Sequence, residues 1–138
     1  MAEFVEFVER MATFRRFEEI QAWQKARAAT ARIYELTKNH EFAKDYGLSN
    51  QIRRAAVSVM ANVAEGNGRR TNNDFAGFLA QAHGSAAEVQ SHLFVALDLK
   101  YIDQKQFDEV YSLMDEVSRM VMSLAQHLRN SKQTQRTQ

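Results

Sequence analysis

Apolar residues return every three or four positions along nearly the whole chain, the rhythm of helices that bury one face. Four segments carry it. The first runs from about Glu19 to Lys38, with Ile20, Trp23, Arg27, Thr30, Tyr34 and Thr37 on one face and Ile33 widening it. A short loop through Gly47 follows, in which Phe42 and Tyr46 are placed to cover one end of the core. The second segment, about Leu48 to Glu65, has the apolar line Leu48, Ile52, Ala56, Val59 and Val63, broadened by Ala55, Met60 and Ala64. The third, about Asn72 to Lys100, offers Phe75, Phe78, Leu79, Ala82, Ala86, Val89, Leu93 and Ala96. The fourth, about Asp103 to Asn130, keeps a heptad seam of Phe107, Val110, Met114, Val117, Val121, Leu124 and Leu128.

The punctuation between these segments agrees with helices. Gly66-Asn67-Gly68 reads as the end of the second. Thr71 or Asn72 reads as the N-cap of the third, with Asp74 in its first turn. Asp103 followed by Gln106 reads as a capping box, and Tyr101-Ile102 as a tight hairpin before it. The chain contains no proline and five glycines, so nothing interrupts long helices and little supports a strand-rich fold. Four helices with short connections predict an all-α, antiparallel up-down-up-down four-helix bundle. We divide the chain into an N-terminal extension (1–16), the bundle (17–130) and a polar C-terminal tail (131–138). In the extension Phe4, Val5, Phe7, Val8 and Met11 either line a helical face or precede an internal start at Met11.

The third helix has a second pattern. Gly77, Ala80, Gly84, Ala87 and Ser91 repeat at three and four, roughly 160° from the large apolar face. A glycine inside a helix costs about 1 kcal/mol relative to alanine. Two of them on one line predict the close approach of another backbone; the plain alternative is a wet face that tolerates them. Identical chains meeting through such faces close into dimers or rings. Self-association is therefore the first partner expected.

Length and composition set outer limits. One domain of 138 residues with 45% hydrophobic and 25% charged side chains is an ordinary globular chain. Cysteine is absent, so there is neither a disulfide nor a thiolate metal site. No apolar run approaches the 18 or so residues of a membrane span, and Glu3, Glu6 and Glu9 precede any basic residue, the wrong sign for a secretory signal. A cytoplasmic location is expected. The net charge is only +1, so a nucleic-acid surface has to be local. Arg53, Arg69, Arg70, Arg129 and Lys132 are the candidates. Arg69 and Arg70 sit just before the third helix, whose free N–H groups favour an anion.

The search for reaction chemistry turns up little. None of His40, His83, His92 and His127 has glutamate three residues before it, as a di-iron bundle requires. Phosphate-binding loops, nucleophile elbows and zinc-peptidase motifs do not occur. Neither metal nor cofactor is expected, and catalysis is the minor hypothesis. A polar stripe does stand out: Arg54, Ser58, Asn62 and Glu65 on the second helix, with Ser85 and Glu88 on the third. It is either a ligand or pore-lining site or a structural network that fixes register. Arg54 with Glu88 is the pairing expected first, within one chain or between two.

These residues resemble a known family. Phe17, Ile20, Trp23, Gln24 and Ala26 look like its opening helix. Its central signature is similar to Tyr46-Gly47-Leu48, Gln51-Ile52-Arg53-Arg54-Ala55, Ser58-Val59, Asn62-Val63-Ala64-Glu65-Gly66 and Gly68-Arg69. Phe78, Ala82, Gly84-Ser85 and Glu88 look like its third. The family is the four-helix bundle proteins encoded in 23S rRNA intervening sequences, sometimes misnamed a small ribosomal protein. A more distant resemblance is to the accessory variability determinant of diversity-generating retroelements. The likeness covers about residues 14–130. It implies a homopentameric ring without enzymatic activity, and RNA as the partner suggested by the family's genomic setting. The function expected is thus a non-enzymatic oligomeric adaptor for RNA or a ribonucleoprotein; the alternative is a protein-only scaffold.

Overall fold

A computed structural model describes residues 16–131. All but one residue of the expected extension, and the tail beyond Ser131 with Lys132 in it, lie outside that range. Among the described residues there are five helices and no strand. After a single 3-10 turn at Phe17–Glu19 come α1 (Gln21–Leu36), the short α2 (His40–Lys44), α3 (Tyr46–Asn67), α4 (Asn72–Asp98) and α5 (Gln104–Asn130). The loop expected after the first helix is thus partly helical.

Packing follows chain order. α4 lies along both α3 and α5, and α1 touches α3 and α5 but scarcely α4. Ion pairs tie α1 to α5: Lys25 with Glu116 at 2.8 Å, and Arg32 with Glu109 at 3.1 Å. Both are partly exposed, so each contributes under about 1 kcal/mol and mainly aligns the two helices. The core between the helices is apolar and closely packed. Every residue of the α5 heptad seam is buried, as are Ile52, Val59 and Val63 of α3 and Phe75, Leu79, Val89 and Leu93 of α4. Burying a leucine, valine or phenylalanine side chain contributes about 1.5–3 kcal/mol, so this seam carries the fold.

The buried face of α1 differs from the expected one. Ala22, Ala26, Ala29, Ile33 and Leu36 point inward, while Trp23 is half-buried and Arg27 and Tyr34 are exposed. Small alanines let α1 sit close to its neighbours, and the larger side chains fall to the rim. There Phe17 meets Trp23 edge to face at 5.1 Å. Thr30, buried, donates its hydroxyl to the Ala26 carbonyl at 2.8 Å and so is not an orphan in the core.

The helix ends follow their local chemistry. Asp103 and Gln106 form the reciprocal capping box, at 2.8 and 2.9 Å. Thr71 caps α4 by accepting from the Asp74 N–H at 3.1 Å. α4 closes with the Lys100 N–H on the Leu97 carbonyl and the Tyr101 N–H on the Ala96 carbonyl, the paired bonds of a Schellman end. Lys100 occupies the left-handed position, with φ 62°, where a non-glycine residue costs about 1–2 kcal/mol. The Gly66-Asn67-Gly68 segment ends α3 as expected, though without a left-handed cap. Gly66 lies inside α3, and Gly68 caps it at φ −81° in ordinary right-handed conformation.

The end of the bundle near α2 is closed by Phe42 and Tyr101, whose rings stack at 5.2 Å. Tyr46, expected there, is 76% exposed. The Tyr101 hydroxyl donates to Asp45 Oδ2 at 3.0 Å, and Asp45 also caps α3 through the Leu48 N–H. This bond to the carboxylate, followed by desolvation, raises the Tyr101 hydroxyl above its ordinary value of 10.0. A tyrosine whose proton is held more tightly in the folded state stabilises it below the unfolded value. That contribution disappears as pH rises through the folded one. Tyr101→Phe should therefore flatten the loss of stability measured by denaturant titration above about pH 10. An unchanged alkaline slope would mean that Tyr101 does not link folding to pH.

Candidate functional site

The polar stripe between α3 and α4 comes together in part. Ser58 Oγ and Ser85 Oγ lie 2.9 Å apart midway along the two helices. Asn62 Nδ2 donates to the Ser58 carbonyl at 2.9 Å and to Ser58 Oγ at 3.1 Å. Three neutral side chains satisfy one another, without the desolvation cost of a buried ion. The charged members of the stripe stay outside this network. Arg54 and Glu88 are both exposed and form no ion pair with each other. Glu65 accepts instead from Arg69, one turn ahead, at 3.0 Å.

That last bond bears on the expected anion site beside α4. Arg69 is paired with Glu65, its guanidinium lies 4.5 Å from the centre of the Phe78 ring, and its Nε is buried without a hydrogen-bond partner. Its charge is turned back onto its own chain. Thr71 meanwhile occupies one of the N–H groups on which the expected site depended. Arg70 is exposed on the loop. Arg129 is exposed in the last turn of α5, where a cation suits the negative helix end.

A different basic feature lies between α1 and α3. Tyr34, Arg53, Arg54, Val57 and Ser58 line an open groove of about 640 Å³, with Asn50 and Ala61 on its wall, and no acidic side chain lines it. Arg53 is held in place. Its Nε donates to Thr37 Oγ1 at 2.7 Å, and its guanidinium lies 4.5 Å from the centre of the Tyr34 ring. Val57 is 44% and Tyr34 37% exposed. Sequence reasoning put Tyr34 in the core and passed over Asn50 and Val57. The signal was there in the spacing of Asn50, Arg54, Val57 and Ala61, which share one face of α3 at four, three and four.

The small-residue line of α4 faces outward. Gly77 and Ala80 are half-buried; Gly84, Ala87 and Ser91 are exposed. A Cβ built on Gly77 or Gly84 meets nothing within 4 Å. Packing inside the chain therefore gives no reason for either glycine. The same rhythm reaches Phe94, which is 50% exposed and packs on Phe107 at 4.8 Å and on Tyr111 at 5.7 Å. Among the described residues, no cluster of three or more metal-ligating side chains is present and no helix is long and apolar enough to cross a membrane.

Fold and surface together define an all-helical bundle with a polar network between α3 and α4 and a basic groove between α1 and α3. The chain belongs to the 23S rRNA-intervening sequence protein family, which it matches over residues 18–123. Its fold is similar to that of a crystallographically determined protein of unknown function from the S23 ribosomal protein family of Bacteroides thetaiotaomicron. The TM-score is 0.70 at 24% identity, over 75% of this chain and 97% of that one. At this identity the likeness speaks for the fold. No curated protein matches the chain.

Proposed function

We propose that this chain is a non-enzymatic binding protein of the cytoplasm: an up-down-up-down four-helix bundle that closes into a ring of identical copies, five by the family resemblance, and serves as an adaptor for RNA or a ribonucleoprotein. The observation that carries the reading is the outer face of α4. Gly77 and Gly84 stand on open space, on a line that ends in a half-exposed phenylalanine. Helix interiors disfavour glycine by about 1 kcal/mol each, so a second backbone against this face accounts for what one chain leaves unexplained. The family description, with its reference to ribosomal RNA, supports RNA as the partner. A ring also multiplies weak phosphate contacts, since linked sites gain affinity through effective concentration.

Two measurements test this reading. Light scattering over a wide dilution range should give a mass several times that of one chain. Binding to structured RNA should weaken steeply as salt rises, because phosphate contacts release counterions. A single chain at all concentrations, or binding indifferent to salt, overturns it. The second reading, a protein-only scaffold, is favoured by the exposed Phe94 over Phe107 and Tyr111. Partner capture that survives nuclease treatment would select it.

A further inference from the structure

We propose that the groove between α1 and α3 is a binding site for a short stretch of single-stranded RNA, with Arg53 and Arg54 on its phosphates and Tyr34 and Asn50 beside its bases and sugars. This rests on the RNA-adaptor reading above and gives it a location other than the loop before α4.

Charge is the first argument. Six of the described cations already face a carboxylate: Arg16 with Glu18, Lys25 with Glu116, Arg32 with Glu109, Lys44 with Glu41, Arg69 with Glu65 and Arg119 with Asp115. Each would have to leave a carboxylate to take a phosphate. Arg53 and Arg54 share a groove that no carboxylate lines, and Arg54 has no ion-pair or hydrogen-bond partner among the described residues. A polyanion entering there displaces only water.

Preorganisation is the second. Arg53 spends Nε on Thr37 and rests on Tyr34, so its orientation is set before a ligand arrives. A guanidinium carries five N–H donors in a planar fork. With Nε engaged, the two η nitrogens remain for a phosphate, and a side chain already held gives up little freedom on binding.

The remaining lining decides the class of polyanion. A duplex offers mainly backbone and groove edges, for which a flat basic surface is enough. Unstacked nucleotides also need a ring or guanidinium plane and hydrogen-bonding groups at the base edges. This groove has a partly exposed tyrosine, an amide in Asn50, a hydroxyl in Ser58 and an apolar wall in Val57 and Ala61. A volume of about 640 Å³ suits a few nucleotides per chain and not a duplex.

The test uses the full chain and a fluorescent single-stranded RNA ten-mer of mixed sequence, titrated between 50 and 200 mM salt. Arg54 is exposed, so Arg54→Glu should leave the circular dichroism and the mass in solution unchanged. It should weaken binding at least tenfold at the lower salt, and lower the slope of log affinity against log salt by about 0.7 for each phosphate the variant no longer neutralises. Arg54→Lys should keep most of the affinity, and Arg119→Glu, at a cation matched by Asp115, should weaken binding far less. If Arg54→Glu binds the ten-mer as tightly as the parent, the site is elsewhere and the adaptor reading stands. If the parent ignores the ten-mer but holds structured RNA in a salt-dependent way, the groove is again excluded. If it holds no RNA at all, both proposals fall. Should Arg54→Glu change the mass in solution, the groove is a contact between copies of the chain, and the proposal is overturned.

Discussion

Gly66→Val should lower the free energy of unfolding by about 3 kcal/mol, and Gly66→Ala by a smaller amount, in equilibrium denaturation followed by circular dichroism. A Cβ built on Gly66 would stand 2.8 Å from Phe78 Cβ, 2.9 Å from Phe75 Cδ1 and 3.3 Å from the Phe75 carbonyl oxygen. Phe78 Cβ is fixed to its backbone and has no rotamer that moves it away. Relief requires the C-terminal turn of α3 and the first turns of α4 to separate, which opens the contact around the fully buried Phe75. Alanine partly offsets the damage through its better helix propensity, by about 1 kcal/mol, whereas valine gains less. Unchanged stability in both variants would mean that the two helices are not in close contact at this end.

Gly84→Arg should act in the opposite sense on the single chain and far more severely on the assembly. Open space surrounds the position, so the side chain is accommodated and the helix gains about the 1 kcal/mol that glycine forfeits. In the proposed ring the same side chain stands where a neighbouring backbone must come close, and its charge would be taken out of water. The expected result is a folded, slightly more stable protein whose mass by light scattering is that of one chain. Gly84→Ala should keep the fold and weaken the assembly, though by less than arginine does. An arginine variant that assembles as the parent does would remove the α4 line from the interface and leave its two glycines without a role. The paired predictions separate two settings of one residue type: Gly66 admits a neighbour within the chain, while Gly77 and Gly84 face open space that the proposed ring would fill.

Most of the helical architecture was legible in the residues. The α5 seam was read correctly at every position because its apolar residues are large and its period is strict. The capping box at Asp103 was equally plain, and the cap of α4 was narrowed to Thr71 or Asn72, since few residue types satisfy free N–H groups. α1 was misread because a pattern of bulk cannot show that alanines are the buried residues when helices pack closely. Once Ala22, Ala26 and Ala29 go inward, Trp23 and Tyr34 are carried to the rim, and with Tyr34 goes one wall of the groove. Gly66 was misread for a related reason: a glycine near a helix end looks like a cap, and only the position of Phe75 and Phe78 across the seam reveals a contact. The roles of Glu65 and Arg69 were missed because a pair one turn apart was divided between two separate hypotheses. Spacing placed Ser58, Asn62 and Ser85 on facing stripes, but not the absence of charge from their network.

That neutrality has a consequence of its own. No member of the Ser58–Asn62–Ser85 cluster titrates in water or attracts a counterion, so the hydrogen bonds that clasp α3 to α4 carry no direct dependence on acid, mild alkali or salt. The interior is in this respect electrically silent. Raising the ionic strength should therefore leave this clasp alone and act on surface ion pairs, such as Lys25–Glu116 and Arg32–Glu109, and on whatever is held outside.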